Sequence, residues 1–166
     1  MLGDVELFCR TAAAPIIAVT GSNGKSTVVS LVHAMALKAG LASQLGGNIG
    51  TPVLDLLAAD QADLYVLELS SFQLELTRSM NARAAVVLNI SADHMDRYDS
   101  LASYTQAKAA VYNGTGVMVI NLDDPLVNAM REPQRSWIGF SNSAPGGDNF
   151  GLQTVRGVTW LMHGQR

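Results

Sequence analysis

The sequence predicts an α/β fold: a mostly parallel sheet flanked by helices, with a small antiparallel appendage at the C-terminal end. Three observations predict it. Short apolar runs alternate with helix-patterned segments over residues 16–128. A glycine-rich stretch, Thr20-Gly21-Ser22-Asn23-Gly24-Lys25-Ser26-Thr27, joins one such run to the helix pattern after it. Beyond residue 135 the pattern changes to short strand-like runs broken by Ser, Asn, Pro and Gly.

The chain opens on a short amphipathic segment, Gly3-Asp4-Val5-Glu6-Leu7-Phe8, and Pro15 marks entry to a first strand from Ile16 to Thr20. That run is apolar on both faces, as a central parallel strand covered on each side would be. Lys25 to Ala39 carries Val28, Leu31, Val32, Met35 and Ala39 at helical spacing, and Gly40 stops it. A short run from Leu41 to Leu45 leads to Gly46-Gly47-Asn48-Ile49-Gly50, where the glycines suggest a close backbone approach or a tight loop. Thr51 and Pro52 then read as a helix N-cap and first turn.

Leu64 to Glu68 is the next buried strand and Ala84 to Ile90 the third, each followed by polar residues. Asp99 or Ser100 caps a helix carrying Leu101, Tyr104, Ala107, Lys108, Val111 and Tyr112, which puts Lys108 on or beside the apolar stripe. Val117 to Asn121 is a further strand, and Asp123-Asp124-Pro125 starts a short helix with Asp as cap. Ser136 to Phe140, Gly151 to Val155 and Val158 to His163 are short strands, the last two joined by a turn at Arg156-Gly157. The main α/β part is thus expected over 1–134 and the antiparallel part over 135–166, with no internal repeat.

A length of 166 residues, 48% of them hydrophobic and 15% charged, suits one domain able to bury a core. The net charge of −3 argues against a nucleic-acid-coating surface, so any anion is bound locally. Cys9 stands alone, which excludes an intrachain disulfide or a thiolate metal cluster and suits a reducing cytoplasm. No apolar run approaches the ~20 residues of a membrane span. Asp4 and Glu6 lie where an export signal needs basic and apolar character.

Thr20 to Thr27 reads as a phosphate-binding loop, which makes this a P-loop-type nucleotide-binding domain. Gly21 and Gly24 let backbone N–H groups approach an anion, with Ser22 and Asn23 between them, and Lys25 supplies a charge for the outer phosphates. Ser26 or Thr27 can offer a hydroxyl to Mg²⁺ at a helix N-terminus. The common P-loop has a further glycine where this chain has Val19, so the loop is a shorter variant. Glu68 ends a strand, where open α/β sheets place their ligands, and can hold Mg²⁺ directly or through water; the alternative is a carboxylate at a solvated strand end. His94 can ligate a metal or touch a substrate carboxylate, or be a surface or capping residue. Asp96 and Arg97 read as loop-fixing. An ordinary ammonium at Lys108 would repel Mg²⁺, so near a metal it needs an acidic partner, a lowered pKa or covalent modification.

Gly21 to Thr27, Gly46 to Gly50, Glu68-Leu69-Ser70-Ser71-Phe72-Gln73, Asn89 to Tyr98 and Asn121-Leu122-Asp123-Asp124 together resemble the central ATP-binding domain of the Mur ligases. Gly3 to Phe8 and Ser70 to Gln73 resemble the branch of that family that adds D-glutamate to UDP-N-acetylmuramoyl-L-alanine. The resemblance implies ATP-dependent amide-bond formation in peptidoglycan synthesis through an acyl phosphate. Ser26 and Glu68 resemble ligands of a nucleotide-bound Mg²⁺, and His94 a residue near a second metal and the muramoyl substrate. Asn48 and Ser70 resemble substrate contacts, and Lys108 a carbamylated lysine that ligates metal. The resemblance further implies flanking domains of the same polypeptide, a cytoplasmic enzyme and a segment inactive by itself. Open alternatives are another Mur ligase, a folylpolyglutamate synthase-like ligase, a P-loop nucleotide hydrolase and a non-catalytic nucleotide-binding module.

Overall fold

A computed structural model describes residues 2–58 and 61–164. Among these residues eight strands form one sheet: β1 Ile16–Thr20, β2 Ser43–Gly47, β3 Leu64–Glu68, β4 Ala84–Val87, β5 Val117–Asn121, β6 Trp137–Phe140, β7 Phe150–Val155 and β8 Val158–His163. Their order is β2-β3-β1-β4-β5-β6-β7-β8. Pairing is parallel from β2 through β7 and antiparallel only between β7 and β8. The segment 136–140 therefore completes the parallel ladder through β6, and the antiparallel part is the β7–β8 hairpin. Arg156 and Gly157 form its two-residue turn, both with positive φ (51° and 78°) as a primed turn demands.

Alternate residues along the strands serve opposite faces. On one face Ala18, Leu67, Val87 and Ile120 pack with Val5 and Phe8 of helix α1 (Asp4–Thr11), Leu74 of α3 (Ser71–Glu75) and Val127 of α5 (Pro125–Asn128). On the other, Val19, Val66 and Val86 meet Val28, Val29 and Val32 of α2 (Lys25–Lys38). Helix α4 (Leu101–Ala109) runs into a 3₁₀ turn, Ala110–Tyr112. The crossover after β1 uses one face of the sheet and those after β3 and β4 the other, so the sheet switches direction at β1. That is where an open α/β sheet leaves a crevice at its carboxyl edge.

Three further expectations are corrected. Thr51 does not cap a helix: its carbonyl accepts from Gly47 N at 3.0 Å, and only a 3₁₀ turn, Asp55–Ala58, follows among the described residues. The strand expected from Ala84 to Ile90 ends at Val87, because the N–H groups of Ile90 and Ser91 turn to the side chains of Asp124 and Ser22. In α2 it is Val29 and Ala36 that are buried, while Leu31 and Met35 are exposed. That helix is apolar nearly all round, so periodicity alone does not fix its inward face.

Candidate active site at the carboxyl edge of the sheet

The loop after β1 wraps a helix start. Gly24, with φ 83°, is the residue before α2 and offers no side-chain cap. The first helical bond runs from Val28 N to Gly24 O at 3.1 Å, and the N–H groups of Gly24, Lys25, Ser26 and Thr27 bond no protein atom among the described residues. Four free donors on the positive end of a 14-residue helix form an anion cradle. Gly21, at φ 152°, lies against the residues just past β4; an added Cβ would stand 3.0 Å from Leu88 Cβ. Lys25 Nζ curls over the loop, donating to Gly21 O at 2.9 Å and Ser22 O at 3.0 Å.

Glu68 is buried at the end of β3, beside that cradle. Its two oxygens accept from Ser26 Oγ at 2.7 Å and Asn48 Nδ2 at 2.9 Å. Asn48 reaches it because Gly47 lets β2 ride directly on β3: a Cβ at Gly47, whose φ is 111°, would sit 2.2 Å from Glu68 O. A carboxylate and a hydroxyl in contact beside a phosphate cradle fit Mg²⁺, which takes one or two protein oxygens and completes its shell with phosphate and water. Among the described residues no cluster of three or more His, Cys, Asp or Glu could hold a metal by itself.

Lys108 reaches the same edge from α4 and is 2% exposed. Its Nζ donates to Gly21 O at 3.0 Å and Thr20 Oγ1 at 3.4 Å and lies 4.7 Å from the Tyr104 ring centre. Burial, with the Lys25 charge nearby, pushes its amine down to about 8, against a smaller opposing pull from Asp93. As an ammonium it does not fit a metal ligand; as a modified, anionic group it would.

His94 is exposed and holds a left-handed backbone, φ 54°, uncommon outside glycine. Its ring lies 5.0 Å from that of Phe72 and its Nε2 3.6 Å from Asp93 Oδ2. Ser70 lines the site but spends its hydroxyl on the N-cap of α3, accepting from Gln73 N at 3.2 Å. A cavity of about 230 Å³ joins Lys25, Asn48, Ser70, Asp93, His94 and Lys108, with Ser71, Phe72 and Tyr104 as further walls. The structure thus brings together every expected residue except Ser22 and Asn23. Ser22 and Asn23 point their N–H groups at Asn89 (2.9 Å each, to its O and Oδ1), and Thr27 contributes its N–H but no hydroxyl bond. Phe72, Tyr104 and Asn89 were given no role from sequence; Phe72 and Asn89 lie within the motifs quoted above, and Tyr104, four residues before Lys108, shares its helix face.

The Mur ligase middle domain matches residues 19–156. The chain belongs to the Mur ligase family. It is 55% identical over 164 residues to the UDP-N-acetylmuramoylalanine--D-glutamate ligase of Nitrosococcus oceani, covering 99% of this chain and 36% of that protein. The ligase of the same name from Methylococcus capsulatus is 52% identical over 98% of this chain and 35% of its own. The chain spans about a third of the length of these curated relatives. Among solved structures, the MurF ligase of Thermotoga maritima in complex with ADP shares the fold with a TM-score of 0.71 at 21% identity, over 94% of this chain and 39% of that one. The bifunctional folylpolyglutamate synthase/dihydrofolate synthase of Yersinia pestis, complexed with AMPPNP and Mn, gives 0.69 at 17% identity, over 100% and 52%. No helix among the described residues of this Mur ligase segment is long and apolar enough to cross a membrane.

Proposed function

We propose that this chain is the ATP-holding middle part of a cytoplasmic ligase that joins D-glutamate to UDP-N-acetylmuramoyl-L-alanine in peptidoglycan precursor synthesis. What carries the reading is the meeting of Lys25, the Ser26–Glu68–Asn48 bridge and Lys108 on one rim, in a chain 55% identical to a ligase of that name. An L-alanyl carboxylate oxygen attacks the γ-phosphorus of ATP, the bond to ADP breaks, and an acyl phosphate results. The D-glutamate amine then attacks the acyl carbon, phosphate leaves with the electron pair of the C–O bond, and the amine loses its proton.

In this scheme the N–H groups of Gly24 to Thr27 hold the nucleotide phosphates and Lys25 offsets charge on the phosphoryl oxygens. Ser26 and Glu68 would hold Mg²⁺, which when bound neutralises phosphate charge. His94 and Lys108 would hold a second ion, provided the Lys108 amine has taken up CO₂ and released a proton to become a carbamate. A buried amine with a depressed pKa supports that modification, because the neutral amine is the nucleophile. Asn48 and Ser70 face the muramoyl substrate from the cavity wall.

The test is phosphate release from ATP by a polypeptide of the relatives' length and by the 166-residue chain alone. The long form should need both D-glutamate and UDP-N-acetylmuramoyl-L-alanine, and Lys25→Ala should slow it by at least about a hundredfold. The 166-residue chain, which spans about a third of the relatives' length, should not turn over by itself. Release indifferent to D-glutamate would support a nucleotide hydrolase instead.

A further inference from the structure

The geometry points to Asn89 as a positioning residue that sets the anion-binding shape of the phosphate loop, a role that rests on the loop reading above. The Asn89 side chain grips one residue of that loop through both of its backbone polar groups: Oδ1 accepts from Asn23 N at 2.9 Å and Nδ2 donates to Asn23 O at 3.1 Å. Its own backbone carbonyl accepts from Ser22 N at 2.9 Å. Two consecutive N–H groups of the loop are therefore drawn toward the segment just past β4, and the chain bends at Ser22 and Asn23 before Gly24 takes its positive φ. The next four N–H groups, Gly24 to Thr27, bond no protein atom among the described residues. The loop thus divides into an anchored half and a ligand-facing half, and Asn89 marks the division.

Asn89 is itself held from the far side. Asn121 Nδ2 donates to Leu88 O at 2.8 Å, and Asp124 Oδ2 accepts from Ile90 N at 2.7 Å. The other oxygen of Asp124 caps α5 through Leu126 N and Val127 N, at 2.9 and 3.1 Å. The residues on either side of Asn89 are thereby fastened to β5 and α5. A loop that would otherwise be free to sample many conformers is fixed before an anion arrives, which lowers the ordering cost of binding.

The experiment uses the 166-residue chain, Mg·ADP titrated by calorimetry, and amide hydrogen exchange read by NMR. In the unliganded wild type the Ser22 and Asn23 amides should be protected and those of Gly24 to Thr27 exposed; Mg·ADP should protect the latter and leave Asn23 unchanged. Asn89→Ala should strip protection from Asn23 and weaken Mg·ADP about thirtyfold, the effect of two neutral hydrogen bonds. A wild-type Asn23 amide that exchanges freely overturns the inference without any variant, which covers the case of Asn89→Ala failing to fold. Unchanged ADP affinity in Asn89→Ala overturns it, and so does weakened affinity with Asn23 still protected, since Asn89 would then act by touching the ligand. Lys25→Ala separates the two readings: unchanged ADP affinity there refutes phosphate binding by the loop, whatever Asn89 does.

Discussion

Replacing Lys108 by methionine should stabilise the folded chain while removing a group central to the proposed chemistry. Lys108 is 2% exposed, and burial, followed by the charge of Lys25, lowers the pKa of its amine from 10.5 to about 8. That displacement corresponds to about 3 kcal/mol of stability forgone while both folded and unfolded chains are protonated. Methionine matches the unbranched stem without the charge. Nor does the change orphan an acceptor, because Gly21 O keeps its bond from Lys25 Nζ at 2.9 Å and Thr20 Oγ1 still donates to Leu69 O at 2.7 Å.

In metal-free, bicarbonate-free buffer at pH 7, Lys108→Met should therefore melt about 5–10 °C higher than the wild type. The sign of the pH dependence follows from linkage. Below about 8 both states of the wild type carry the proton and the full penalty is present; between about 8 and 10.5 the folded state has lost it while the unfolded state retains it. Wild-type stability then rises with pH, and the gap to Lys108→Met closes. A variant less stable than the wild type at pH 7, or a gap that stays constant to pH 10.5, would refute the argument. A lysine that opposes folding yet lines the cavity is what a functional group under a stability–activity trade-off looks like.

Tyr112→Phe tests a bond inside the sheet: the hydroxyl accepts from Val87 N at 3.0 Å and donates to Val119 O at 2.8 Å, and burial holds its pKa up at about 12. Leaving that N–H unpaired should cost about 1–3 kcal/mol in urea unfolding, and no measurable change would mean that β4 and β5 close the gap themselves. Glu6→Gln tests how α1 is fastened. The Glu6 carboxylate accepts from Ser79 N and Arg78 N at 2.9 and 2.6 Å, from Ser79 Oγ at 2.8 Å and from Arg10 Nε at 2.7 Å, and these bonds, the Ser79 N–H foremost, lower its pKa from 4.5 to about 2. Its contribution is present above pH 4.5 and lost as pH falls through about 2. The acid-unfolding profile of the glutamine variant should be flatter in that window, and an unchanged slope would assign the acid sensitivity elsewhere.

The strands were legible because parallel strands buried on both faces write continuous apolar runs, as Ile16–Thr20 and Leu64–Glu68 do. Glu68 followed from being the polar residue at the end of such a run, and Lys108 from being a lysine on an apolar stripe. What stayed hidden depends on contacts distant in sequence. Asn89 lies 66 residues from Asn23, the residue it grips, and since it binds backbone, the side chain of Asn23 carries no trace of the pairing. Glu6 looks like an acid in the first turn of a surface helix; only the approach of residues 78 and 79 buries it. The strand at Ala84 is shorter than its apolar run for the same reason, because side chains of Ser22 and Asp124 take the N–H groups that would have continued the ladder.

A chain of net charge −3 sets two ammonium groups and a helix N-terminus around one cavity. Beyond a Debye length of about 8 Å at physiological salt the acidic surface is screened, so a polyphosphate at the rim responds chiefly to the nearest groups. Those groups come from different strand ends: Lys25 after β1, Glu68 at the end of β3, His94 after β4, and Lys108 from the helix that follows. Their meeting depends on sheet order, because β1 lies between β3 and β4 and all three point their carboxyl ends the same way. At the edge next to β3 it also depends on one residue without a side chain. Any Cβ at Gly47 would drive β2 off Glu68 and carry Asn48 away, leaving one carboxylate oxygen without its donor. Of the glycine pair expected to make a close approach or a tight loop, Gly47 meets the chain's own strand at Glu68 while Gly46 meets Thr51 O, and it is Gly47 that keeps Asn48 on the proposed metal carboxylate.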